Sequence, residues 1–290
     1  MIIDAHQHVW DPSVARYDWL TSQLAPIDRP IGFDELAPAL RRAGVDATIL
    51  VQAADNDEDT DLMLRTAHEH PEIVGVVAYV GLDRPERAAQ RLAALRRDPV
   101  VVGVRSLIHD LPDPDWILRP DVDRGLGVLE DAGVPFDFVA VLPRHLEHVP
   151  VIAERHPDLR IVIDHLAKPP IGLPDRQPWW DLISRAAEPP HVYAKVSGLY
   201  SATDESGSWT PDTVRPFFQR AVEAFGADRL MYGGDWPISV LSGGYDRVWA
   251  GLSQLIGELD ASAQTAVFGE TARRFYRLDA GLLARAIGPR

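Results

Sequence analysis

Two histidines one residue apart, His6 and His8, sit among the strand-forming residues Ile2, Ile3 and Val9. Side chains alternate along a strand, so both imidazoles leave from one face, and Asp4 is expected one layer beneath them. Paired imidazoles where a strand meets a loop can ligate a divalent metal, hold a substrate oxygen or carry protons. Such a pair needs partners from elsewhere in the chain.

Candidate partners stand at the ends of other apolar runs: Arg105, His165, Lys195 and Asp235. Asp235 follows Gly233-Gly234 and reads as a general base, as a metal ligand that activates water, or as a plain turn aspartate. His165 reads as a catalytic, carbonyl-polarising imidazole or as a strand-end residue satisfied by its neighbours. Arg105 should point inward, offering a donor pair to a substrate oxygen or carboxylate, or forming an ion pair with Asp4 or Asp164.

Lysine occurs at two positions, 168 and 195, out of 29 basic residues. Alternation along 191–198 groups Tyr193, Lys195 and Ser197 on one face, which should bury Lys195 near Asp235 as a substrate donor or an ion-pair partner. Lys168, in Ala-Lys-Pro-Pro, shapes its loop or contacts substrate at the rim. His109 and the tryptophans Trp10, Trp19, Trp116, Trp209 and Trp236 fall in loops after strand ends. There they could stack on a sugar or lactone ring, or pack the loops together. His70 and His156 precede prolines at helix ends and read as capping or solvated residues. His68, His145, His148 and His191 look peripheral.

The elements that must position these groups repeat with a simple rhythm. Strand candidates are 2–5, 47–52, 74–80, 101–105, 136–141, 160–164, 192–197 and 229–234. Amphipathic stretches lie between them at 34–43, 61–70, 84–97, 122–132, 146–156 and 211–225, and a last helical stretch covers 261–276. Thr210-Pro211 is a helix start, a hydroxyl cap followed by proline. Eight strands, each followed by a helix, predict an α/β fold built as a single (β/α)8 TIM barrel over residues 1–290. The loops leading from strands into helices (9–33, 106–121, 166–180, 199–210 and 236–244) are the long ones, and such barrels carry their sites on that face.

Composition narrows the partners. The 290 residues are 46% hydrophobic, with a net charge of −14 and no cysteine. A large core is affordable, and neither nucleic acid nor an anionic membrane suits that charge. Disulfides, thiolate catalysis and cysteine-ligated metals are excluded. No apolar run is long enough to span a bilayer and no secretory leader is visible, so a cytoplasmic protein acting on a small molecule is expected. Oligomeric state is not readable.

Several motifs together resemble the amidohydrolase superfamily. They are Asp-Ala-His-Gln-His-Val-Trp at 4–10, Gly-Val-Arg at 103–105, Ile-Asp-His-Leu-Ala-Lys-Pro at 163–169, Lys-Val-Ser-Gly-Leu at 195–199, Leu-Met-Tyr-Gly-Gly-Asp-Trp-Pro at 230–237, and the closing run at 269–276. The likeness is greatest to its lactone-hydrolase branch, which includes L-fuconolactonase, L-rhamnono-lactonase and 2-pyrone-4,6-dicarboxylate lactonase. It implies functional roles for His6, His8, His165 and Asp235, with Arg105 near the substrate. The chain departs from the metal-dependent members in lacking a fifth-strand histidine and in carrying Arg105 on the fourth strand. His6, His8 and Asp235 would then form a three-ligand site, with His165 as a candidate fourth. A neighbouring arginine opposes a bound cation, so catalysis without a required cofactor is expected, with a weakly bound zinc as the alternative.

The expected reaction is hydrolysis of a sugar lactone to its aldonic acid. Asp235 activates water, His165 orients the carbonyl or the water, and His6, His8 and either Arg105 or Lys195 stabilise the oxyanion. Trp10, His109 and Trp236 complete the expected substrate contacts. Hydrolysis of a dicarboxylate lactone and metal-dependent decarboxylation are the alternatives within the superfamily; a dicarboxylate substrate would need further cations, for which Arg16 and Arg176 are the loop candidates. A non-catalytic barrel binding sugar acids is the remaining alternative.

Overall fold

The computed structural model describes residues 1–109, 111–200 and 209–288, so most of the loop at 199–210 lies outside the described residues. Eight parallel strands form one sheet in sequence order: β1 (Ile3–Gln7), β2 (Ala47–Val51), β3 (Ile73–Ala78), β4 (Val101–Ser106), β5 (Phe136–Phe138), β6 (Ile161–Ile163), β7 (Val192–Val196) and β8 (Leu230–Tyr232). The sheet curls until its ends meet, where Asp235 N donates to His6 O and His8 N to Trp236 O, both at 2.8 Å. This is a (β/α)8 TIM barrel. Both faces of its strands are buried, which explains their nearly unbroken Val and Ile runs.

The surrounding helices are α1 (Phe33–Ala43), α2 (Asp57–Glu69), α3 (Pro85–Leu95), α4 (Pro120–Ala132), α5 (Pro143–Arg155), α6 (Trp179–Ala186), α7 (Pro211–Phe225) and α8 (Tyr245–Ile256). After α8 come α9 (Ala261–Thr265), α10 (Thr271–Tyr276) and α11 (Ala280–Ala286). The expected helix at 261–276 is interrupted by a π turn over Ala266–Glu270. Helix α2 begins four residues earlier than its apolar period suggests. Asn56 Oδ1 accepts from Asp59 N at 2.9 Å, and three acidic residues in the first turn suit the positive end of the helix dipole. No helix among the described residues is long and apolar enough to cross a membrane.

Strands β5, β6 and β8 are shorter than expected because the chain leaves the sheet to build the site. Asp164 opens a tight turn, and Gly233-Gly234 lead directly to Asp235. Asp4 is also displaced from the face expected for it. The register between β1 and β2 shifts between Asp4 and Gln7, and this bulge breaks the alternation that would have stacked Asp4 under His6. The Asp4 carboxylate instead accepts from Gly234 N (2.9 Å), Tyr245 OH on α8 (2.7 Å) and the Gln7 amide. It thus ties the two closing strands together. Burial still pushes Asp4 up to about 7 against the pull of those donors.

Candidate active site

The floor of the site is a buried charge layer. Register sets Arg105 on β4 beside Asp137 on β5, and both side chains point inward. Lys195 on β7 is fully buried, with Nζ 2.5 Å from Asp137 Oδ2 and 3.1 Å from Asp164 Oδ1. Tyr276 OH, reaching up from α10, donates to Asp137 Oδ2 at 2.7 Å. The structure shows the ion pair, one of the two roles expected for Lys195, and corrects only its expected place near Asp235. Lys195 lies under the floor among Asp137, Asp164 and His6 rather than beside Asp235, and it does not line the cavity. Burial pushes the Asp137 carboxyl up to about 6 although Lys195 pulls it down. For Asp164 the cations prevail over burial, and it is held well below the usual carboxylate range.

Above this layer the two histidines converge, with His6 Nε2 and His8 Nε2 3.1 Å apart. Asp235 Oδ1 lies 3.8 Å from the first and 3.5 Å from the second. His8 Nδ1 meets the carbonyl of Val51 at 2.7 Å. A carbonyl can only accept, so Nδ1 carries a proton; with that proton alone, His8 turns its Nε2 lone pair towards His6. His6 Nδ1 has two neighbours, Lys195 Nζ at 3.1 Å and Asp164 Oδ1 at 3.3 Å. Burial holds His6 well below the usual imidazole range, so it is neutral.

Two proton arrangements satisfy this cluster. In one, Lys195 donates to His6 Nδ1, and the His6 Nε2 proton points at the His8 lone pair. In the other, His6 Nδ1 donates to Asp164, leaving two Nε2 lone pairs and a carboxylate oxygen facing one point. The three edges of 3.1, 3.5 and 3.8 Å straddle the roughly 3.3 Å edge of a tetrahedral zinc site with bonds of about 2.0–2.1 Å. His6, His8 and Asp235 therefore fit a divalent ion. Arg105 Nη1, 3.5 Å from His6 Nε2, sets a positive charge against it.

Asp235 has a positive φ of 51°. Its Oδ2 accepts from Tyr200 OH at 3.1 Å and lies 3.9 Å from His165 Nδ1, which leaves Oδ1 turned to the histidine pair. Burial raises its pKa, but the surrounding His165, His8, His6 and Lys168 overcome that and hold the carboxyl well below its usual range. His165 Nδ1 pairs with Ser197 Oγ at 2.9 Å. Burial pushes this imidazole down to about 3, so it too is neutral. Gly198 makes room for the group. Its φ is +60°, and a Cβ there would stand 2.6 Å from His165 Nδ1.

Beyond β6 the chain makes an unusual turn in which His165, Leu166, Ala167 and Lys168 all have φ between 48° and 57°. Left-handed backbone costs an L-residue roughly 1–2 kcal/mol, and strain of this kind gathers at functional sites. The turn faces a cavity of about 160 Å³, whose polar wall is His8, Arg105, His109, His165, Lys168 and Asp235. Trp10, Trp19, Leu107, Val139, Val141 and Ile238 form much of the rest.

Of the expected substrate contacts, Arg105, Trp10 and His109 reach this cavity. Trp236 does not: its backbone is used in closing the barrel, with N bonded to Gln7 Oε1 at 3.0 Å. Arg105 combines two of its expected roles, lining the cavity while pairing with Asp164 at 3.0 Å. Arg16 is exposed and paired with Asp18, and Arg176 stacks over Trp180 and Phe217, so neither supplies the cavity with charge. His156 is buried between Glu130 and Asp123 rather than solvated.

Tyr200, Ser197, Asp137 and Tyr276 are site-supporting residues that the sequence reading did not single out. Asp137 was the most accessible of them, since an aspartate between Phe136 and Phe138 on a strand must face away from both. Tyr200 and Ser197 flank a glycine in a strand-end loop, and no spacing rule marks them.

A (β/α)8 barrel with His-x-His on its first strand, a histidine after the sixth and an aspartate after the eighth defines an amidohydrolase-type site. The chain belongs to the amidohydrolase family, whose model matches residues 3–278. It is 38% identical over 283 residues to an L-fucono-1,5-lactonase of Burkholderia ambifaria, covering 96% of each chain. An L-fucono-1,5-lactonase of Burkholderia multivorans is 32% identical over 287 residues, with 95% of this chain and 96% of that one covered. The crystal structure of an amidohydrolase from B. multivorans with bound zinc superimposes with a TM-score of 0.88 at 30% identity, covering 96% of this chain and all of that one.

Proposed function

We propose that this protein hydrolyses a sugar lactone to the corresponding aldonic acid, with Asp235 as the base that activates water. The observation that carries the reading is Asp235 itself: a carboxylate kept ionised, fixed at Oδ2 by Tyr200 and beside His8, His165 and Arg105 in a cavity the size of one sugar ring. The names of the relatives support the same substrate class.

In this mechanism a water held near Asp235 gives up a proton as its oxygen bonds to the lactone carbonyl carbon. Negative charge moves onto the carbonyl oxygen, where the donors of Arg105 and His165 stabilise it. The intermediate collapses, the bond from the acyl carbon to the ring oxygen breaks, and Asp235 returns the proton to that oxygen. A carboxyl held below its usual pKa releases that proton readily. His6 stays beneath the reaction, positioning His8 and Asp235. His6, His8 and Asp235 are the residues that would hold a divalent ion, which would supply Lewis-acid polarisation of the carbonyl. The positions of Arg16 and Arg176 weigh against a dicarboxylate lactone.

The test is acid release from L-fucono-, L-rhamnono-, L-galactono- and D-arabino-lactones and from a pyrone dicarboxylate, using chelator-treated protein with and without zinc. Turnover of an aldonolactone by the stripped protein is expected. Turnover only with zinc would make His6, His8 and Asp235 obligatory ligands, and silence on every aldonolactone would overturn the reading.

A further inference from the structure

Arg105 is held from a strand that does not pair with its own. The order of the sheet places β3 between β2 and β4, so no backbone ladder fixes the distance between the ends of β2 and β4. Gln52, the residue after β2, bridges that gap twice. Its carbonyl accepts from Arg105 Nη2, and its side-chain Nε2 donates to Arg105 O at 3.1 Å. The same Nε2 donates to Asp55 Oδ1 at 2.8 Å, and Oδ1 also accepts from Leu107 N at 2.9 Å. Arg105 and Leu107, which both line the catalytic cavity, are thereby tied to one short loop. Gln52 is fully buried and does not line the cavity itself. A guanidinium has two N–H donors on each terminal nitrogen. Gln52 O takes one from Nη2 and Asp164 Oδ2 one from Nη1. Two anchors fix the plane of the fork without exhausting its donors.

We propose that Gln52 is a positioning residue: it sets the Arg105 guanidinium where the lactone carbonyl oxygen takes on charge. The proposal rests on the lactonase reading and acts entirely through Arg105; no proton moves and no bond changes at Gln52. A donor aimed in advance at a developing oxyanion costs no reorganisation when the charge appears. Misplacing such a group by about 1 Å can cost on the order of 100-fold. Asp164 holds one nitrogen of the fork, about which the group could still pivot, and Gln52 removes that freedom.

The test is a double-mutant cycle between Gln52→Met and Arg105→Met, read as kcat and KM on the fastest aldonolactone. In the wild-type background Gln52→Met should lower kcat about 10–100-fold with KM within about twofold. In the Arg105→Met background it should change kcat by less than about twofold, because nothing is left to orient. Equal losses in both backgrounds, wild-type kcat in the folded single variant, or a loss confined to KM would each overturn the proposal. Arginine-selective ¹⁵N NMR gives a second readout, with the Arg105 Nη signals assigned by their absence in Arg105→Met. Two distinct Nη signals are expected in the wild type, merging in Gln52→Met as the fork begins to rotate. This readout decides the matter if Arg105→Met turns over too slowly to measure, and two distinct signals in Gln52→Met overturn the proposal. Should Gln52→Met fail to fold, Asp55→Ala, at an exposed position, is read the same way. If the wild type opens no lactone, the lactonase reading fails, while the NMR comparison still decides whether Gln52 orients Arg105.

Discussion

Replacing Lys195 by methionine keeps most of the side-chain volume and removes one positive charge from a fully buried layer. Nζ lies 2.5 Å from Asp137 and 3.1 Å from Asp164. Asp164 would keep Arg105 at 3.0 Å, but among the described residues Asp137 would keep the Tyr276 hydroxyl as its one hydrogen-bond partner. Breaking a buried pair in this way costs about 3–5 kcal/mol, or a fall in Tm on the order of 10 °C for a chain of this length. The cost should depend on pH. Burial already pushes Asp137 up to about 6 with Lys195 holding it down, and without Lys195 it rises further. A carboxyl whose folded pKa exceeds its unfolded value adds stability at low pH that is lost as pH rises through the folded pKa. The deficit of Lys195→Met should therefore be small near pH 5 and full near pH 8, and Asp137→Asn in the same background should recover most of it. Urea unfolding followed by tryptophan fluorescence at both pH values is the assay. Wild-type stability at pH 8 together with lost turnover would refute the reasoning and return Lys195 to the substrate.

Tyr200→Phe should lower kcat about tenfold with KM within about twofold, because it removes a hydrogen bond to the charged Oδ2 of Asp235 without touching the cavity wall. Steady-state kinetics decide this, and a change confined to KM would contradict it. The pH profile of kcat/KM should be flat from pH 5 to 8. Burial pushes His165 down to about 3 and the histidine cluster holds Asp235 below the carboxylate range, so neither changes charge in that interval. A limb centred near pH 6.5 would contradict that assignment.

The barrel was legible because parallel strands covered on both faces must be apolar along their whole length. The site was legible where one residue type carried the meaning, as with His6, His8 and Asp235. What escaped depended on register or backbone hand. Alternation correctly turned Lys195 inward, but its partners are set by the neighbouring strands, which bring Asp137 and Asp164 within reach. A bulge in β1, unmarked by glycine or proline, moved Asp4 to Tyr245 and Gly234. The left-handed run at 165–168 contains no glycine either. Its conformation is imposed by the burial of Leu166 and Ala167 and by Trp179, and it makes Lys168 rather than Lys195 the lysine that faces the cavity.

Asp235→Asn tests the central claim most directly. The amide keeps the size of the side chain and an oxygen for Tyr200, but cannot take a proton from water. Lactone hydrolysis by the folded variant should fall by about 10²–10⁴-fold, with aldonate binding retained. Turnover within a few-fold of wild type would show that Asp235 is not the base, and the account would fail.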